Sequence, residues 1–585
     1  MRHSGIGASP GIGIGPVFRY EREELTVRES RIEPDHAEAE LQRYREAVEQ
    51  SRSELQRIRD GIATELGEEE ARIYDTHLMM IDDPELWRAV EDGVRRDHRN
   101  AAVAFRSRIG QVAAHLESVE DETLRERRAD LIDIERRVLR HLLGGTSRAL
   151  SALSEPSILF AHDLGPSEVA QLKRDRIIAF VTEVGGRTSH SAIVARGRGI
   201  PAVVSARGVM QGVKSGELAA VDGESGRVEL NPDAATIEEY ESRRRRRDET
   251  LGQLQAVQHE PAVTRDAHRI ELGANIELPS EAEMVVDSGA DGIGLFRTEF
   301  FYMNRLELPT EDDQYEAYRG VAERLAPKPV IFRTMDLGGD KVASYLGTTH
   351  ETNPFLGWRG IRFALNHPEM FRTQIRAIYR ASAHGRVRIM FPMVSSEDEL
   401  LRAIDLCREV EVDLTRAGIA HDHEIEMGVM IETPSSVWMA DALARHVKFL
   451  SIGSNDLTQY TLAIDRDNPR LAHLYEPLDP AVLRSIRHTI TAGHAAGCWV
   501  GICGEMAGDP RNAVLLVGLG IDELSMSMFD LPRAKAAIRA ISRSEAESIA
   551  LQALGMSSAR AVRELMQTHV EPLLPAFLLA ARNDP

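Results

Sequence analysis

Beyond Pro261 the chain alternates between short apolar runs and longer amphipathic stretches. Short runs rich in β-branched residues predict buried strands, and stretches with a period of 3.6 residues predict helices. Eight strand and helix units over roughly 300 residues match the number and size expected of a (β/α)₈ barrel. The eight predicted strands are "IELGANIE", "GIGLFRTEF", "PVIFRTMDL", "VRIMFPMV", "EMGVMIETP", "VKFLSIGSNDL", "CWVGICGEM" and "IDELSMS".

The predicted strands end in side chains that can bind a ligand or take part in a reaction. Barrels of this type place their active sites at the C-terminal ends of the strands. A single arginine or aspartate there is usually a surface or loop-capping residue, but a set of them on successive strands indicates one shared site. The candidates are Arg297 and Thr298, Arg333 and Asp336, Glu432, Asn455 and Asp456, Cys503, and Ser525 to Ser527, with Arg466 ten residues beyond Asp456.

The N-terminal part of the chain predicts a different architecture. Residues 4–28 are rich in Gly, Pro and β-branched residues and predict short strands. The segment from Glu33 to Leu143 is rich in charged residues and has the periodicity of helices. Short β-rich runs return until Pro232, and residues 234–258 form one more charged helical stretch. The predicted fold class is therefore α/β and multidomain, with a small α/β domain, an inserted α-helical subdomain and a C-terminal (β/α)₈ barrel.

Composition excludes several classes of function. The 585 residues carry a formal net charge of −21, which opposes general binding to nucleic acid or to anionic membranes. The basic run "SRRRRRDE" is flanked by acidic residues and is typical of a solvated helix face. Cys407, Cys498 and Cys503 are too few for a disulfide scaffold, and no run approaches the roughly 18 apolar residues of a membrane span. We expect a cytoplasmic protein.

The residue types at the strand ends indicate a phosphorylated acid and a hard cation as ligands. Arg297 and Arg333 offer planar guanidinium groups that suit phosphate or carboxylate oxygens. Glu432 and Asp456 follow neighbouring strands, and Mg²⁺ takes one or two protein carboxylates beside water and substrate oxygens. A thiol has an ordinary pKa near ~8.5 and is mostly protonated at neutral pH, so Cys503 can donate a proton.

The string "GGRTSHSAIVAR" places His190 after a predicted strand and a glycine turn, at the start of a predicted helix. Unpaired N–H groups at a helix N-terminus favour an anion. Arg187, Thr188 and Ser189 add donors beside it. A neutral imidazole is a competent nucleophile toward phosphorus, and the helix N-terminus would stabilise the phosphohistidine that results. A lone histidine is more often structural, but this string is far more specific.

These motifs together resemble enzyme I of the bacterial sugar phosphotransferase system, the phosphoenolpyruvate-protein phosphotransferases. The resemblance runs from "ASPGIGIG" to the last helices and covers nearly the whole chain. Besides the His190 string, the motifs that carry it are "FRTEF", "FRTMDLGGDK", "NPFLGWRGIR", "IMFPMV", "GVMIETPSS", "SIGSNDLTQYTLAIDR", "GICGEMAGD" and "DELSMS".

The resemblance implies Mg²⁺-dependent phosphoryl transfer from phosphoenolpyruvate to His190, with release of pyruvate, and then transfer to a histidine of the phosphocarrier protein HPr. By motif match, Glu432 and Asp456 would hold the metal and Cys503 would protonate the enolpyruvate carbon. Family members are commonly homodimers through the barrel. The substrate would be held by Arg297, Arg333, Asn455, Asp456 and Arg466, and the carrier by Leu78, Met79, Met80 and Leu86 in the helical insertion.

The domain boundaries that we predict combine the local patterns with this resemblance. Residues 1–28 and 144–233 would form the phosphohistidine α/β domain, and residues 29–143 the inserted helical subdomain that binds the carrier. Residues 234–260 would be a helical linker, and residues 261–585 the phosphoenolpyruvate-binding and dimerisation barrel. One alternative stays open, a paralogue in a nitrogen-regulatory branch with the same chemistry. The chain leaves no room for the ATP-binding domain of a pyruvate phosphate dikinase, and no proposed catalytic residue is lost as in a non-catalytic relative.

Overall fold

A computed structural model of the chain divides into two compact units, Met1–Asp248 and Glu249–Pro585. The structure describes residues 1–21, 25–66, 68–117, 122–144, 153, 155–164, 168, 176–186, 189–303, 307–338, 353–466, 468 and 470–579. Side chains are described at these positions except 64–66, 68–73, 115, 117, 122–129, 190, 193 and 197.

The first unit contains an eight-stranded mixed sheet in the order β1-β8-β7-β3-β4-β5-β6-β2. The contacts β3 to β4, β4 to β5 and β5 to β6 are parallel, and the remaining ones are antiparallel. The strands are β1 (Arg2–Ser4), β2 (Ile6–Ser9), β3 (Ile12–Tyr20), β4 (Ser157–Ala161), β5 (Ile177–Thr182), β6 (Ala202–Val204), β7 (Leu218–Asp222) and β8 (Arg227–Leu230).

Among the described residues, five α-helices lie in the chain between β3 and β4, although these two strands are neighbours in the sheet and pair Val17 with Ile158. The chain thus leaves the sheet and returns beside the strand it left, which confirms a helical insertion in an α/β domain. The inserted helices have their own apolar core, around Leu55, Val90 and Phe105. They are α1 (Ala37–Leu66), α2 (Glu68–Ile81), α3 (Pro84–Arg95), α4 (Ala101–Glu117) and α5 (Glu122–Leu142).

Three more α-helices belong to the described part of the first unit and its connection to the second. They are α6 (His190–Arg198), α7 (Val209–Gly212) and α8 (Ala234–Val257), the last of which spans the boundary between the units. Helix α8 agrees closely with the charged helical stretch predicted at 234–258 and buries only Tyr240.

The second unit is a closed barrel of eight parallel strands, as the sequence predicts. Each strand falls within one of the eight predicted runs. They are β9 (Glu271–Ile276), β10 (Gly292–Phe296), β11 (Val330–Arg333), β12 (Val387–Phe391), β13 (Glu426–Ile431), β14 (Phe449–Ile452), β15 (Trp499–Ile502) and β16 (Glu523–Met526).

Helices cover the barrel and bury its outer face, and a separate cluster that includes Leu295, Met430 and Phe449 fills its interior. No described helix is both long and apolar enough to cross a membrane. The helices are α9 (Ala282–Ser288), α10 (Glu311–Leu325), α11 (Ile361–Asn366), α12 (Pro368–Ser382), α13 (Glu397–Arg416), α14 (Pro434–Trp438), α15 (Ala440–Leu443), α16 (Ser454–Leu462), α17 (Pro480–Ala495), α18 (Pro510–Leu519), α19 (Leu531–Ala540), α20 (Arg543–Gly555), α21 (Ala559–His569) and α22 (Ala576–Leu579).

Candidate active site

The C-terminal ends of the barrel strands carry a group of buried charges, which we call the buried charge network. Four carboxylates face two guanidinium groups, so the network has a formal charge of −2. All six side chains are at most 10% exposed. Its members are Glu299, Arg333, Asp336, Arg359, Glu432 and Asp456.

Arg333 and Arg359 are held by carboxylates on both sides. Arg333 pairs with Glu299 and lies 3.3 Å from Asp336, and Arg359 binds Asp336 through two nitrogens and Asp456 through one. Burial opposes both positive charges, but the nearby carboxylates outweigh it and raise the pKa of both arginines above the ordinary value. Both guanidinium groups therefore stay charged in a dry environment, where they bind anions strongly.

Glu432 and Asp456 each keep one carboxylate oxygen buried without a hydrogen-bond partner among the described residues, Oε2 and Oδ1 respectively. The other oxygen of Glu432 accepts a hydrogen bond from the Met393 backbone at 2.5 Å. Burial first, and then the carboxylates of Asp456 and Asp336, raise the pKa of Glu432 well above its usual range. A divalent cation would bind both of these oxygens, which lack hydrogen bonds, and offset this repulsion, so the two residues fit Mg²⁺.

Gly453, three residues before Asp456, makes room at this point. A Cβ at Gly453 would lie 2.9 Å from Oε2 of Glu432. Strand β14 ends at Ile452, and Asp456 stands in the first turn of α16 and not at the strand end where the sequence pattern places it. The reason is that the residues after Gly453 already take up helical hydrogen bonding, and Leu457 donates to the Gly453 carbonyl at 2.9 Å.

Cys503 directly follows β15 and joins the interior cluster of the barrel. It is 3% exposed. Burial raises the pKa of its thiol to about 11, the Glu432 carboxylate adds to the shift, and a hydrogen bond with Ser451 opposes it. The positive charges of Arg333 and Arg297 also oppose the shift. At neutral pH the group is a thiol and holds a proton.

The remaining predicted substrate residues lie at the edge of the network. Arg466 approaches Oδ1 of Asp456 at 3.6 Å. Asn455 bonds to Glu505, both to its backbone N–H at 3.0 Å and to its side chain at 3.3 Å. Arg297 pairs with Glu277 and is 37% exposed, so it is the most solvated of the predicted arginines.

Two members of the network, Glu299 and Arg359, are not among the residues predicted from the strand ends. Both stand in the quoted motifs, "FRTEF" and "NPFLGWRGIR". Glu299 lies in a short 3₁₀ helix beyond β10, and Arg359 precedes α11, far from the end of any strand in the sequence. The strand-end rule therefore misses Arg359, although an arginine between Gly357 and Gly360 in a motif that carries the family resemblance was a signal in the sequence.

In the first unit, the structure places His190 at the first position of α6, as the pattern predicts. The side-chain oxygen of Ser189 accepts a hydrogen bond from the Ala192 N–H at 3.4 Å and caps the helix. Gly185 has a φ of 114°, which favours glycine, and its carbonyl accepts from Ser205 at 2.6 Å. The side chain of His190, and Arg187 and Thr188 entirely, lie outside the described residues.

The predicted carrier contacts differ in their exposure. Met79 is 75% exposed, whereas Leu86 is 5% exposed and packs into the helical core, with Leu78 and Met80 packed partly against it. Burial gives Leu86 a packing role, so Met79 is the member of the set that offers a free apolar surface. Carrier binding by these residues stays a prediction.

Family models match three parts of the chain, and curated relatives match nearly all of it. The models describe PEP-utilising enzymes: their N-terminal domain at residues 4–127, their mobile domain at 153–226 and their PEP-binding domain at 252–543. The chain is 43% identical to the phosphoenolpyruvate-protein phosphotransferase of Priestia megaterium, over 96% of this chain and 98% of that protein. It is also 43% identical to the one of Bacillus subtilis, over 95% and 98%.

A solved structure titled as an NMR solution structure of Enzyme I is 41% identical and covers 42% of this chain and 99% of that one, with a TM-score of 0.37. The two curated relatives are similar to this chain along almost their whole length. We conclude that the chain belongs to the phosphoenolpyruvate-protein phosphotransferase family of enzymes.

Proposed function

We propose that the protein transfers the phosphoryl group of phosphoenolpyruvate to its own His190, releases pyruvate, and passes the phosphoryl group to a histidine of the carrier protein HPr. The observation that carries this proposal is the buried charge network itself. It combines fixed guanidinium groups for an anion, two unpartnered carboxylate oxygens for a cation, and a protonated thiol close by.

The substrate would lie against the network. Arg333 and Arg359 supply desolvated positive charge, and Arg297 and Arg466 supply more at the edge. Asn455 offers an amide for a further hydrogen bond. Asp456 would contact the substrate indirectly, through the bound cation.

Glu432 and Asp456 would hold Mg²⁺ through Oε2 and Oδ1, the two oxygens without a hydrogen bond among the described residues. The bound ion would supply charge stabilisation for the phosphate and enolate oxygens. Its charge of +2 would balance the formal charge of −2 that the network carries.

In the chemical step, a ring nitrogen of His190 attacks phosphorus and the bond from phosphorus to the enol oxygen breaks. The electron pair of that bond forms the enolate of pyruvate. The Cys503 thiol gives its proton to the methylene carbon, which yields pyruvate, and the thiolate regains a proton from water. The position of His190 at the N-terminus of α6 supports the phosphorylated state, because helix N–H groups stabilise an anion.

His190 belongs to one compact unit and the network to the other. Transfer needs reacting atoms about 3 to 3.5 Å apart, and the imidazole has to meet phosphoenolpyruvate and the carrier histidine in turn. Reorientation of the units about residues 234–260 is therefore part of the proposed cycle. We also propose that the carrier binds near Met79, that the barrel forms a homodimer and that the protein acts in the cytoplasm.

Incubation with phosphoenolpyruvate labelled in its phosphate, with and without Mg²⁺, tests the function. The full chain should become labelled only with Mg²⁺ and release one pyruvate per label, and the label should be lost in acid and survive in base. His190→Ala should abolish labelling, and His36→Ala, an exposed histidine of the same unit, should not. Labelling of His190→Ala at the level of the unchanged chain would rule out the assignment.

The branch that the protein serves is decided by its carrier. Sugar transport predicts that the labelled chain passes its phosphoryl group fastest to an HPr of that system. A much faster transfer to a carrier of a nitrogen-regulatory branch would favour the paralogue.

A further inference from the structure

A group of three metal-binding side chains lies on the barrel far from the proposed reaction. Glu411 stands on α13, and His421 and His423 stand on the segment that leads into β13. One ligand atom from each lies within 4.8 Å of the other two. The segment enters the N-terminal end of β13, whereas the buried charge network lies at the C-terminal ends of the strands.

We propose that Glu411, His421 and His423 form a second metal site, which binds Zn²⁺ or a similar transition-metal dication with one position left for water. Two imidazoles and one carboxylate suit such ions, whereas Mg²⁺ prefers oxygen ligands throughout. The site is thus chemically distinct from the pair Glu432 and Asp456.

The fold brings the three side chains together through the end of α13. Gly418 has a φ of 68°, and the N–H groups of Gly418 and Ile419 return to the carbonyls of Thr415 and Leu414. This left-handed ending reverses the chain, so that His421 comes back beside the last turns of the helix, where Thr415 is one turn from Glu411. The arrangement follows from the backbone and needs no metal to form.

The segment between the two histidines is also fixed. The Asp422 N–H donates to the Ser382 hydroxyl at 2.8 Å, and the Asp422 carboxylate accepts from the Glu424 N–H at 2.8 Å. The His421 ring meets the edge of Tyr379 at 5.8 Å between centroids. Since these bonds order the backbone around both histidines, a bound ion would lose little affinity to ordering of the chain.

Hydrogen bonding sets the proton positions that a metal needs. Nδ1 of His421 lies 2.8 Å from the Ile419 carbonyl, which can only accept, so Nδ1 carries the hydrogen and the neutral ring presents the Nε2 lone pair. An imidazole held in this way by a backbone carbonyl is the usual arrangement of a metal-bound histidine. Among the described residues, the hydrogen-bond contact that Nε2 makes is long, at 3.4 Å to the Thr415 hydroxyl.

The other two ligands already meet. Nδ1 of His423 lies 3.1 Å from Oε1 of Glu411, and the two imidazole rings are 4.3 Å apart between centroids. A zinc ion would take the place of the hydrogen on Nδ1 of His423, and that hydrogen would pass through solvent to Nε2, so the ring stays neutral and no net proton is released. Metal to ligand distances of about 2.0–2.2 Å require the three donors to close by roughly 1 Å, and the His423 side chain, which is 62% exposed, is free to move.

Calorimetric titration of the full chain with Zn²⁺ tests the proposal. The chain is first freed of metal, and saturating Mg²⁺ is then present to occupy Glu432 and Asp456. The double variant His421→Gln with His423→Gln should bind one zinc ion fewer than the unchanged chain. Glu411→Gln, which keeps the shape of the side chain and removes its charge, should weaken zinc binding at that site at least about 100-fold. Substitution of a residue that only hydrogen-bonds to a metal ligand usually lowers metal affinity by less than this. Glu411→Gln also keeps the test valid if the double variant does not fold.

His446→Gln is the matched control, because His446 pairs with Glu397 at 2.7 Å on the same barrel without belonging to the group. It should bind zinc like the unchanged chain, and phosphoenolpyruvate turnover should be the same in all variants. With Co²⁺ as the probe, the site should show an absorption band of bound cobalt and no thiolate charge-transfer band. Equal zinc stoichiometry and affinity in the unchanged chain and both site variants would overturn the proposal.

Discussion

Arg359 binds Asp336 with two parallel hydrogen bonds, in which Nε lies 3.0 Å from Oδ1 and Nη2 lies 3.0 Å from Oδ2. Asp336 is fully buried and Arg359 is 3% exposed. The Nη2 group also reaches Asp456 at 3.3 Å, so one guanidinium group joins the proposed metal carboxylate to the rest of the network. Only the planar fork of an arginine can make these bonds together.

Arg359→Lys should therefore impair the enzyme although it keeps the charge. An ammonium group cannot bind both oxygens of Asp336 and also reach Asp456, so we expect the turnover of phosphoenolpyruvate to fall about 100-fold and the barrel to lose about 1–3 kcal/mol of stability. Pyruvate release and calorimetric unfolding measure the two effects. Arg445→Lys, in an exposed pair with Asp441, should change neither. Normal turnover in Arg359→Lys would show that the fork is dispensable.

Gly504→Ala should disturb the site through sterics alone. A Cβ at this position would lie 1.9 Å from the Ser454 hydroxyl oxygen, so either the loop after Cys503 or the start of α16 has to shift. We expect loss of turnover and destabilisation by about 1–3 kcal/mol, as for overpacking elsewhere. Gly320→Ala is the control, since nothing lies within 4 Å of its added Cβ on the exposed face of α10. It should stabilise the protein by about 0.5–1 kcal/mol.

Cys503→Ala should separate the two halves of the reaction. Without the protonated thiol the enolate loses its proposed proton donor, so pyruvate release should slow at least about 100-fold, which is within the range for general acids. Exchange of phosphoryl groups between His190 and the carrier involves no proton on carbon and should continue. Cys498→Ala removes another buried thiol, one that donates to two backbone carbonyls at 3.2 Å, and should leave pyruvate release intact. Unchanged pyruvate release in Cys503→Ala would exclude the thiol as the donor.

Glu523 should make the stability of the barrel depend on pH. Burial, and then the charges of Glu271 and Asp291, raise its pKa from 4.5 to about 7, while Arg388 opposes the shift. The folded state binds this proton more tightly than the unfolded state, so the contribution is present below pH 4.5 and is lost as pH rises through 7. By this linkage the free energy of unfolding falls by at most about 3 kcal/mol over that range.

Glu523→Gln keeps the shape of the side chain and cannot titrate, so it should remove this dependence and stabilise the barrel at pH 8. Denaturant unfolding at pH 5 and pH 8 measures the difference between the variant and the unchanged chain. Glu564→Gln, on the exposed face of α21, should leave the pH dependence as it is. A pH dependence that is identical in Glu523→Gln would show that another group titrates.

Local patterns in the sequence were sufficient to predict the elements of the fold. Strands such as β13 and β15 are short apolar runs with amphipathic helical segments on both sides, and this contrast is visible in the amino-acid sequence. The glycine turn before His190 and the capping serine at 189 are likewise local signals, and α6 begins where they predict. The strand-end rule then predicted that Arg333, Glu432 and Cys503 lie at the same end of the barrel, because its parallel strands all end on the same side.

Contacts between residues that are far apart in the chain could not be predicted from these local patterns. The pairing of Arg359 with Asp336 and Asp456, the burial of Glu299 against Arg333 and the group of Glu411 with His421 and His423 join residues from separate elements. Leu86 shows the same limit, since its apolar character suits a surface contact and a core equally, and only the packing of the inserted helices buries it.

The sequence by itself determined the order of strands and helices, the closed barrel and the residue types available at its rim, because hydrophobic periodicity and turn residues act over short stretches of chain. The tertiary structure decided which charges meet, which oxygens stay unpartnered and which thiol stays protonated. Those properties depend on distance and on exclusion of water, and both are fixed only when residues far apart in the chain pack together.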